Sequence, residues 1–429
     1  MKKVIVIGGG FAGLSASVDL AENNFEVTLI EASPKLGGRA YSVEDPSFSS
    51  FDNGQHIFMG CYDETLSFLE KIGSYSNLDI QESLSIPFVR PGGNIYKLAA
   101  KRKFYPLNIL HAILNYQALS LKERFKVIDF FLDLICCYSC DLRERTVKQW
   151  LDCKRQSDNS VKSLWEIITV GALNTRTESA SAEIFSEILK TIFFTGKGSS
   201  KIILSKVGLS ELYCTPASDF ITERGGKINL SERAIKFTTK DKRITGVISD
   251  KYEYRDFDAV LFAIPAYALE KISSETKCDI SIPQLNYSPI VNVHFLLNKN
   301  PFTEKFYGLI GSEIHWVFNH GSYITAMTSA SDNLIRLDVE KIYEFFTSEL
   351  KKYFPIFHKE NIISSKVIKE KRATFIPDVS SNEKRNSFKE SIGGMFVAGD
   401  WTSTGLPSTV ESAVSSGRRA AQGIITSLK

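Results

Sequence analysis

An α/β fold is predicted from three features of the chain. Val4 to Ile7 is a short, mostly β-branched apolar run, the kind of segment a buried parallel strand uses. It leads into Gly8, Gly10 and Gly13, the spacing G-x-G-x-x-G, and then into a stretch through Leu20 and Ala21 that reads as a helix. A second apolar strand, Val27 to Ile30, ends on the acidic Glu31, 18 residues after Gly13. Together these describe a Rossmann-like, dinucleotide-binding domain.

Each residue of that unit has a mechanical reason. Gly8 allows the tight exit from the strand, Gly10 lets backbone approach a pyrophosphate, and Gly13 lets helix and strand pack closely. Phe11 and Ala12 lie between them, where the helix N-terminus offers free N–H groups to phosphate charge. Glu31, followed by Ala32, is placed to hydrogen-bond ribose hydroxyls, whereas a 2′-phosphate would be repelled there. Further on, Gly37-Gly38 gives backbone that can pass near the cofactor, and Arg39 is available to its pyrophosphate.

The nucleotide-binding unit is expected to continue in two later pieces. Leu209 to Phe220 reads as a helix, Lys227 to Leu230 as a strand, and Ala234-Ile235 as the start of another. Ile244–Ile248 and Asp258–Pro265 give two further strands. Near the far end, Met395 to Trp401 reads as a strand closing on a Gly399-Asp400 turn, and Gly405 to Glu411 opens a helix that runs through Ala413 to Ala421. The expected division is a discontinuous dinucleotide domain of 1–75, 206–270 and 390–429, a mixed-sheet substrate domain of 76–100 and 271–389 interleaved with it, and a helical insertion of 101–205.

Composition narrows the function classes. Of 429 residues, 43% are hydrophobic and 24% charged, the balance of a folded chain. A formal charge of +3 leaves no nucleic-acid footprint. No run of 18 apolar residues predicts a membrane span, and three early glycines with Asp19 and Glu22 argue against a secretory leader. The seven cysteines lack disulfide or zinc spacing. Cys136, Cys137 and Cys140 read as small core residues, and no metal is expected. A reducing, cytoplasmic setting fits best.

The run from Glu31 through Arg39, with Met395 to Trp401, resembles the amine oxidase and carotenoid desaturase group of FAD-dependent oxidoreductases. That resemblance implies bound FAD, with Asp400 at its ribityl and pyrophosphate part. The helix N-terminus after Pro407, Ser408 and Thr409 would suit the N1–C2=O edge of the flavin, where charge collects on reduction. Gly54, Gln55, His56 and Ile235 complete the expected cofactor contacts. The last cysteine, Cys278, is far from the C-terminal flavin segment, so a non-covalent flavin is expected.

Asp52-Asn53-Gly54-Gln55-His56, then Gly60, Tyr62, Thr65-Leu66 and Ile72-Gly73, resembles the hydroxysqualene dehydroxylases, the squalene-associated FAD enzymes of bacterial hopanoid pathways. Arg372-Ala373-Thr374-Phe375 and the ending from Gly399 to Val414 agree with that family, which commonly has Ala where Ser408 stands and Gly where Ser412 stands. Residues 100–200 carry no matching motif. The resemblance implies reductive removal of an allylic hydroxyl from a polyisoprenoid, by hydride from flavin that an unidentified electron donor reduces. Such chemistry needs an acid for the leaving hydroxyl and exclusion of water from the allylic cation. His56 is the candidate acid, with positioning beside the flavin as its alternative role. Gln55 and Asp52 share its turn, and Arg372 is placed equally well for cofactor, substrate or surface.

Two rival classes use the same framework. A carotenoid-type desaturase or isomerase would run the flavin as an oxidant on a polyene, and an amine oxidase would need an aromatic cage. A lipid substrate would also give meaning to apolar residues at helical spacing. These are Leu107, Leu110, Ile113 and Leu114 behind Lys101-Arg102-Lys103, and then Phe125, Ile128, Phe131, Leu132 and Ile135. They fit either a buried face or a peripheral seat on the inner face of the cytoplasmic membrane.

Overall fold

Five parallel strands drawn from three distant stretches of chain form the sheet that organises the molecule. The computed structural model describes residues 1–100, 105, 107–136 (Cys136 by its backbone alone), 141–276, 280–388 and 392–429. Lys101, Arg102, Lys103, Phe104, Cys137, Cys140 and Cys278, with the Cys136 side chain, lie outside the described residues. The sheet runs in the order Lys227–Asn229, Glu26–Ile30, Lys3–Ile7, Ala259–Phe262, Met395–Val397. Ile7 sits in register with Ile30 on one side and Phe262 on the other. Val4 to Ile7 and Ala259 to Phe262 are buried throughout, as central parallel strands covered on both faces must be.

One face carries the helix Phe11–Glu22, against which the long helix Val410–Leu428 packs, with the Ser15 hydroxyl directed at the Val414 carbonyl oxygen at 3.4 Å. The other face is covered by a three-stranded antiparallel sheet of Ala234–Lys240, Arg243–Ser249 and Glu253–Tyr254, with the helix Ala266–Thr276 beside it. The helix expected over 209–220 begins as a π-type turn, Ser210–Cys214, and continues as Thr215–Glu223.

A second sheet of seven strands runs Ile362–Phe375, Tyr287–Leu297, Tyr323–Ser329, Trp316–Asn319, Phe306–Leu309, Ser85–Val89, Ile95–Ala99. Only the contact of Phe306–Leu309 with Ser85–Val89 is parallel. Val291, Val293 and Phe295 point from one face into a core closed by the amphipathic helix Val339–Tyr353, which buries Ile342, Phe346 and Leu350. The opposite face presents Phe88, Phe306, Trp316 and Met327 to the helices of the insertion, around the fully buried Trp165.

Two pieces depart from the expected division. The insertion ends in a strand, Ile202–Ser205, which pairs with Phe58–Met59 and with Leu78–Ile80. Leu78–Ile80 therefore joins this small sheet, and the large sheet receives only the hairpin Ser85–Val89 and Ile95–Ala99. Strands of two to four residues carry too short a period-2 signal to be read without their partners.

Candidate active site

Both ends of the chain meet over the carboxyl edge of the parallel sheet. Gly8 leaves its strand at φ +107°, and a Cβ there would lie 2.4 Å from the Ala263 carbonyl oxygen. A Cβ at Gly13 would lie 1.8 Å from the Gly8 carbonyl oxygen, so only glycine lets the helix rest on the strand. Gly10 is different. The nearest atoms to a Cβ there would be the Gly38 Cα at 3.7 Å and the Gly37 carbonyl oxygen at 3.9 Å, both ordinary contacts. Protein packing does not require glycine at position 10. A side chain would fill the space over the helix N-terminus, where no side chain caps the helix and no acid stands in its first turn. The N–H groups of Phe11, Ala12 and Gly13 are left for a ligand there, and the cradle fits a pyrophosphate. The Phe11 ring itself is buried, stacked on Tyr213 with centroids 3.6 Å apart, so Phe11 offers backbone only.

The Glu31 carboxylate accepts the Gly9 and Ser33 N–H groups, each at 2.7 Å, one on each oxygen. That fixes its orientation and leaves a lone pair on each oxygen for ribose hydroxyls. Ala32 is exposed beside it. The N–H groups of Ser231 and Glu232 donate to the carbonyl oxygens of Ser33 and Glu31, bringing the next strand alongside. Within that strand Ile235 is exposed at an irregularity between Ala234 and Lys236, skipped by the cross-strand register.

Gly37 and Gly38 lie against the glycine cradle, with the Gly37 N–H donating to the Gly9 carbonyl oxygen at 2.8 Å. The Tyr213 hydroxyl holds the turn, at 2.8 Å and 2.7 Å from the Gly37 and Ala40 carbonyl oxygens. Arg39 then reaches across to Asp400, Nη2 to Oδ1 at 2.6 Å, and to the Ala373 carbonyl oxygen at 2.8 Å. The Ser408 hydroxyl donates to the other Asp400 oxygen. Burial opposes charge on Asp400, but the Arg39 guanidinium and these hydrogen bonds outweigh it and hold the carboxyl below its ordinary pKa. The structure thus brings Arg39, Gly399, Asp400 and Ser408 together. Pro407 is buried just before Thr409, whose hydroxyl caps the helix Val410–Leu428 by accepting the Ser412 N–H at 3.1 Å.

The turn carrying His56 is tied to the same place by Asn53. Its side-chain amide donates to the Arg39 carbonyl oxygen at 2.7 Å, and its oxygen accepts the Tyr41 N–H at 3.3 Å. Gly54 packs on Asn292 of the large sheet, whose Nδ2 would be 2.9 Å from a Cβ at that position. His56 is half-buried with Nδ1 3.0 Å from the Gly54 carbonyl oxygen, so Nδ1 carries hydrogen, and Nε2 has no hydrogen-bond partner among the described residues. Burial, followed by the charge of Arg39, outweighs that hydrogen bond and lowers its pKa. Gln55 donates to the His56 carbonyl oxygen at 3.3 Å. Asp52 faces elsewhere, accepting the Ser42 hydroxyl at 2.8 Å and the Leu209 N–H at 2.9 Å, a structural tie. Arg372 is exposed, its guanidinium 4.3 Å over the Tyr267 ring.

Sequence reading gave Asn53 a place in the motif but no role, and missed Tyr213 and, above all, Arg385. Buried at 2% exposure, Arg385 donates to the carbonyl oxygens of Asp400 at 3.2 Å, Trp401 at 3.3 Å and Thr402 at 2.6 Å, and clamps the turn bearing Asp400. Glu411 belongs to the same region but points away. It accepts the Glu64 and Thr65 N–H groups, both at 2.9 Å, and so caps the helix Asp63–Lys71 from outside. No group of three metal-ligating side chains occurs among the described residues.

Residues 11–425 match the family described as flavin containing amine oxidoreductase. The chain belongs to that family. The cofactor of this flavin-containing amine oxidoreductase is FAD, a flavin by family and a dinucleotide by the glycine cradle. Over 427 residues it is 26% identical to a hydroxysqualene dehydroxylase of Zymomonas mobilis, covering 97% of both chains. A zeta-carotene desaturase of Synechocystis is 24% identical, with 99% of this chain and 97% of that one covered. Among solved structures, an oxidoreductase from Methanosarcina mazei superposes with a TM-score of 0.76 at 15% identity, over 99% of this chain and 100% of that one. Cyclohexylamine oxidase from Brevibacterium oxydans gives 0.68 at 13%, over 100% and 99%. At such identities the superpositions speak to the fold.

Proposed function

We propose that this flavin-containing amine oxidoreductase reductively dehydroxylates hydroxysqualene, or a closely similar polyisoprenoid allylic alcohol. The observation that carries the reading is the Asp52–His56 turn, fastened by Asn53 to the Arg39 segment, which is itself bonded to the cradle that fits FAD. The relatives that match over nearly the whole chain include hydroxysqualene dehydroxylases, which supports it.

Gly8, Gly10, Gly13 and the N–H groups of Phe11 and Ala12 would hold the pyrophosphate, and Glu31 the adenosine ribose, with Ala32 and Ile235 lining that end. Gly38, Arg39, Asp400 and Ser408 would hold the ribityl and pyrophosphate portion, with Gly399, Pro407 and Thr409 shaping the helix end beyond it. When bound in reduced form, FAD supplies a hydride. In the overall balance the allylic C–O bond breaks, a proton joins the departing hydroxyl to give water, and a C–H bond forms in its place.

The chain's own share begins with His56. Because Nδ1 is committed to Gly54, Nε2 is the site where a proton is taken up and given to the hydroxyl. A depressed pKa makes the protonated ring scarce at neutral pH but a stronger acid than an ordinary histidine. Gln55 and Gly54 hold its turn beside the cofactor. The apolar face of Trp316, Phe318 and Met327, on the same side of the large sheet as the Asn292 side chain that Gly54 packs against, would keep water from the cation.

Anaerobic incubation of the reduced FAD holoenzyme with detergent-dispersed hydroxysqualene tests the reading. Squalene formed in proportion to flavin oxidised is expected. No squalene at full flavin loading overturns it, and desaturation of phytoene by the oxidised enzyme would replace it with the carotenoid-type activity.

A further inference from the structure

Two helices of the insertion, Asn108–Leu114 and Leu121–Cys136, are apolar on opposite sides. Their inner sides bury Ile113, Val127, Phe130 and Phe131 in the cluster that also contains Trp316 and Met327 of the large sheet. The outer side carries Leu107 at 61% exposure, Leu114 at 41%, Leu121 at 65%, Phe125 at 62% and Leu132 at 45%. Leu121, Phe125 and Leu132 stand at i, i+4 and i+11, and half-buried Ile128 fills the remaining position of one continuous stripe. An ordinary surface helix gives water its polar side, as Val339–Tyr353 does with Glu340, Lys341, Glu344 and Lys351. Lys122 and Lys126 are exposed on one flank of the stripe, with the exposed Asp129 between them and the stripe, and neither lysine forms a salt bridge among the described residues.

We propose that this outer face docks on an anionic lipid surface, the apolar stripe entering the headgroup boundary and Lys122 and Lys126 meeting the headgroups. The choice of lipid as occupant rests on the polyisoprenoid reading. A C30 hydrocarbon alcohol resides in bilayers, and the inner sides of these two helices share one apolar cluster with the sheet face beside the site. No helix among the described residues is long and apolar enough to cross a membrane, so the attachment is interfacial. Leu107 and Leu114 place the neighbouring helix in the same contact.

The test uses FAD holoenzyme and vesicles of phosphatidylglycerol and phosphatidylethanolamine, with pure phosphatidylcholine as comparison, at low salt. The wild type should sediment with the anionic vesicles. Phe125→Glu/Leu132→Glu should weaken binding by about tenfold or more, since two buried apolar contacts are lost. Its flavin content, melting temperature and turnover of detergent-dispersed substrate should stay unchanged. Lys122→Glu/Lys126→Glu should abolish the preference for anionic vesicles. Wild type remaining in the supernatant overturns the proposal, as does a double variant that binds like wild type. A wild-type dimer that Phe125→Glu/Leu132→Glu converts to monomer, without vesicle binding, assigns the face to a second copy instead. Vesicle binding without squalene formation would fail the functional reading alone, and squalene formation without vesicle binding would fail this one alone.

Discussion

The Arg385 guanidinium donates to the Thr402 carbonyl oxygen at 2.6 Å, from deep inside the protein, and no carboxylate among the described residues is bonded to it. Burial lowers its pKa to about 10, against the raising influence of Asp400 nearby. Its bonds go instead to the backbone oxygens of Asp400, Trp401 and Thr402, with the Asn382 and Thr404 side chains, which sets the path of the chain through Asp400. Replacing Arg385 with leucine orphans those buried carbonyls. The expected loss is about 2–4 kcal/mol of stability, since each unsatisfied buried polar group costs on the order of 1–3 kcal/mol. FAD content should fall with it, because the Asp400 turn loses its clamp. Thermal melts with flavin absorbance check this; an unchanged melting temperature would contradict the assignment.

Gly10 and Gly13 should respond oppositely to the same substitution. Gly13→Ala drives a methyl into the Gly8 carbonyl oxygen, and no soluble folded protein is expected. Gly10→Ala has room among the protein's own atoms and an ordinary φ of −86°, so the apoprotein should lose no more than about 1 kcal/mol. FAD affinity should drop sharply, since the methyl fills the pyrophosphate space. Apoprotein melting and flavin titration separate the two effects.

His56→Gln should retain FAD and lose turnover by about 10²-fold or more, the usual size of a general acid's contribution. The wild-type rate should rise as pH falls below 6.5, because the lowered pKa leaves Nε2 largely unprotonated above that. The Gln variant should show a flat profile. Equal turnover in both enzymes would remove His56 from the chemistry.

Acid should unfold the protein through two other histidines. Burial lowers His294 to about 3 and His315 to about 4, the former aided by His320 and the latter by Arg176. The unfolded chain protonates both near 6.5, so it binds more protons than the native state between pH 6.5 and 4. Stability is therefore present above pH 6.5 and declines as pH falls, by roughly 1.4 kcal/mol per pH unit for each imidazole. Melting curves from pH 7 to 4.5 measure that slope, and His315→Gln should make it shallower. A melting temperature flat over that range would refute the account.

What was legible in the chain follows how local the constraint is. Gly8, Gly10 and Gly13 announce themselves because strand, turn and helix are consecutive, and Glu31 follows at a fixed distance. The Gly399-Asp400 turn is similarly self-contained. Arg385 was not legible: it lies in a polar helix, Ser381–Ser387, and its function exists only through carbonyls 15 to 17 residues on. Tyr213 is an ordinary aromatic until the π-type turn sets its hydroxyl against the Gly37 turn 176 residues earlier. The strand Ile202–Ser205 was missed because its meaning depends on partners at 58–59 and 78–80.

The pairing of Arg39 with Asp400 spans 361 residues, and the strand preceding Asp400 forms one edge of the parallel sheet. A ribosome releasing this chain from the N-terminus has therefore exposed the glycine cradle, the insertion and the whole seven-stranded sheet before the last wall of the flavin site emerges. Four of the five parallel strands must wait with an open edge during that interval, a state prone to aggregation. Contacts of such sequence separation also close slowly. Yield of flavinated protein in a host cell should thus depend on translation speed, chaperone supply and growth temperature.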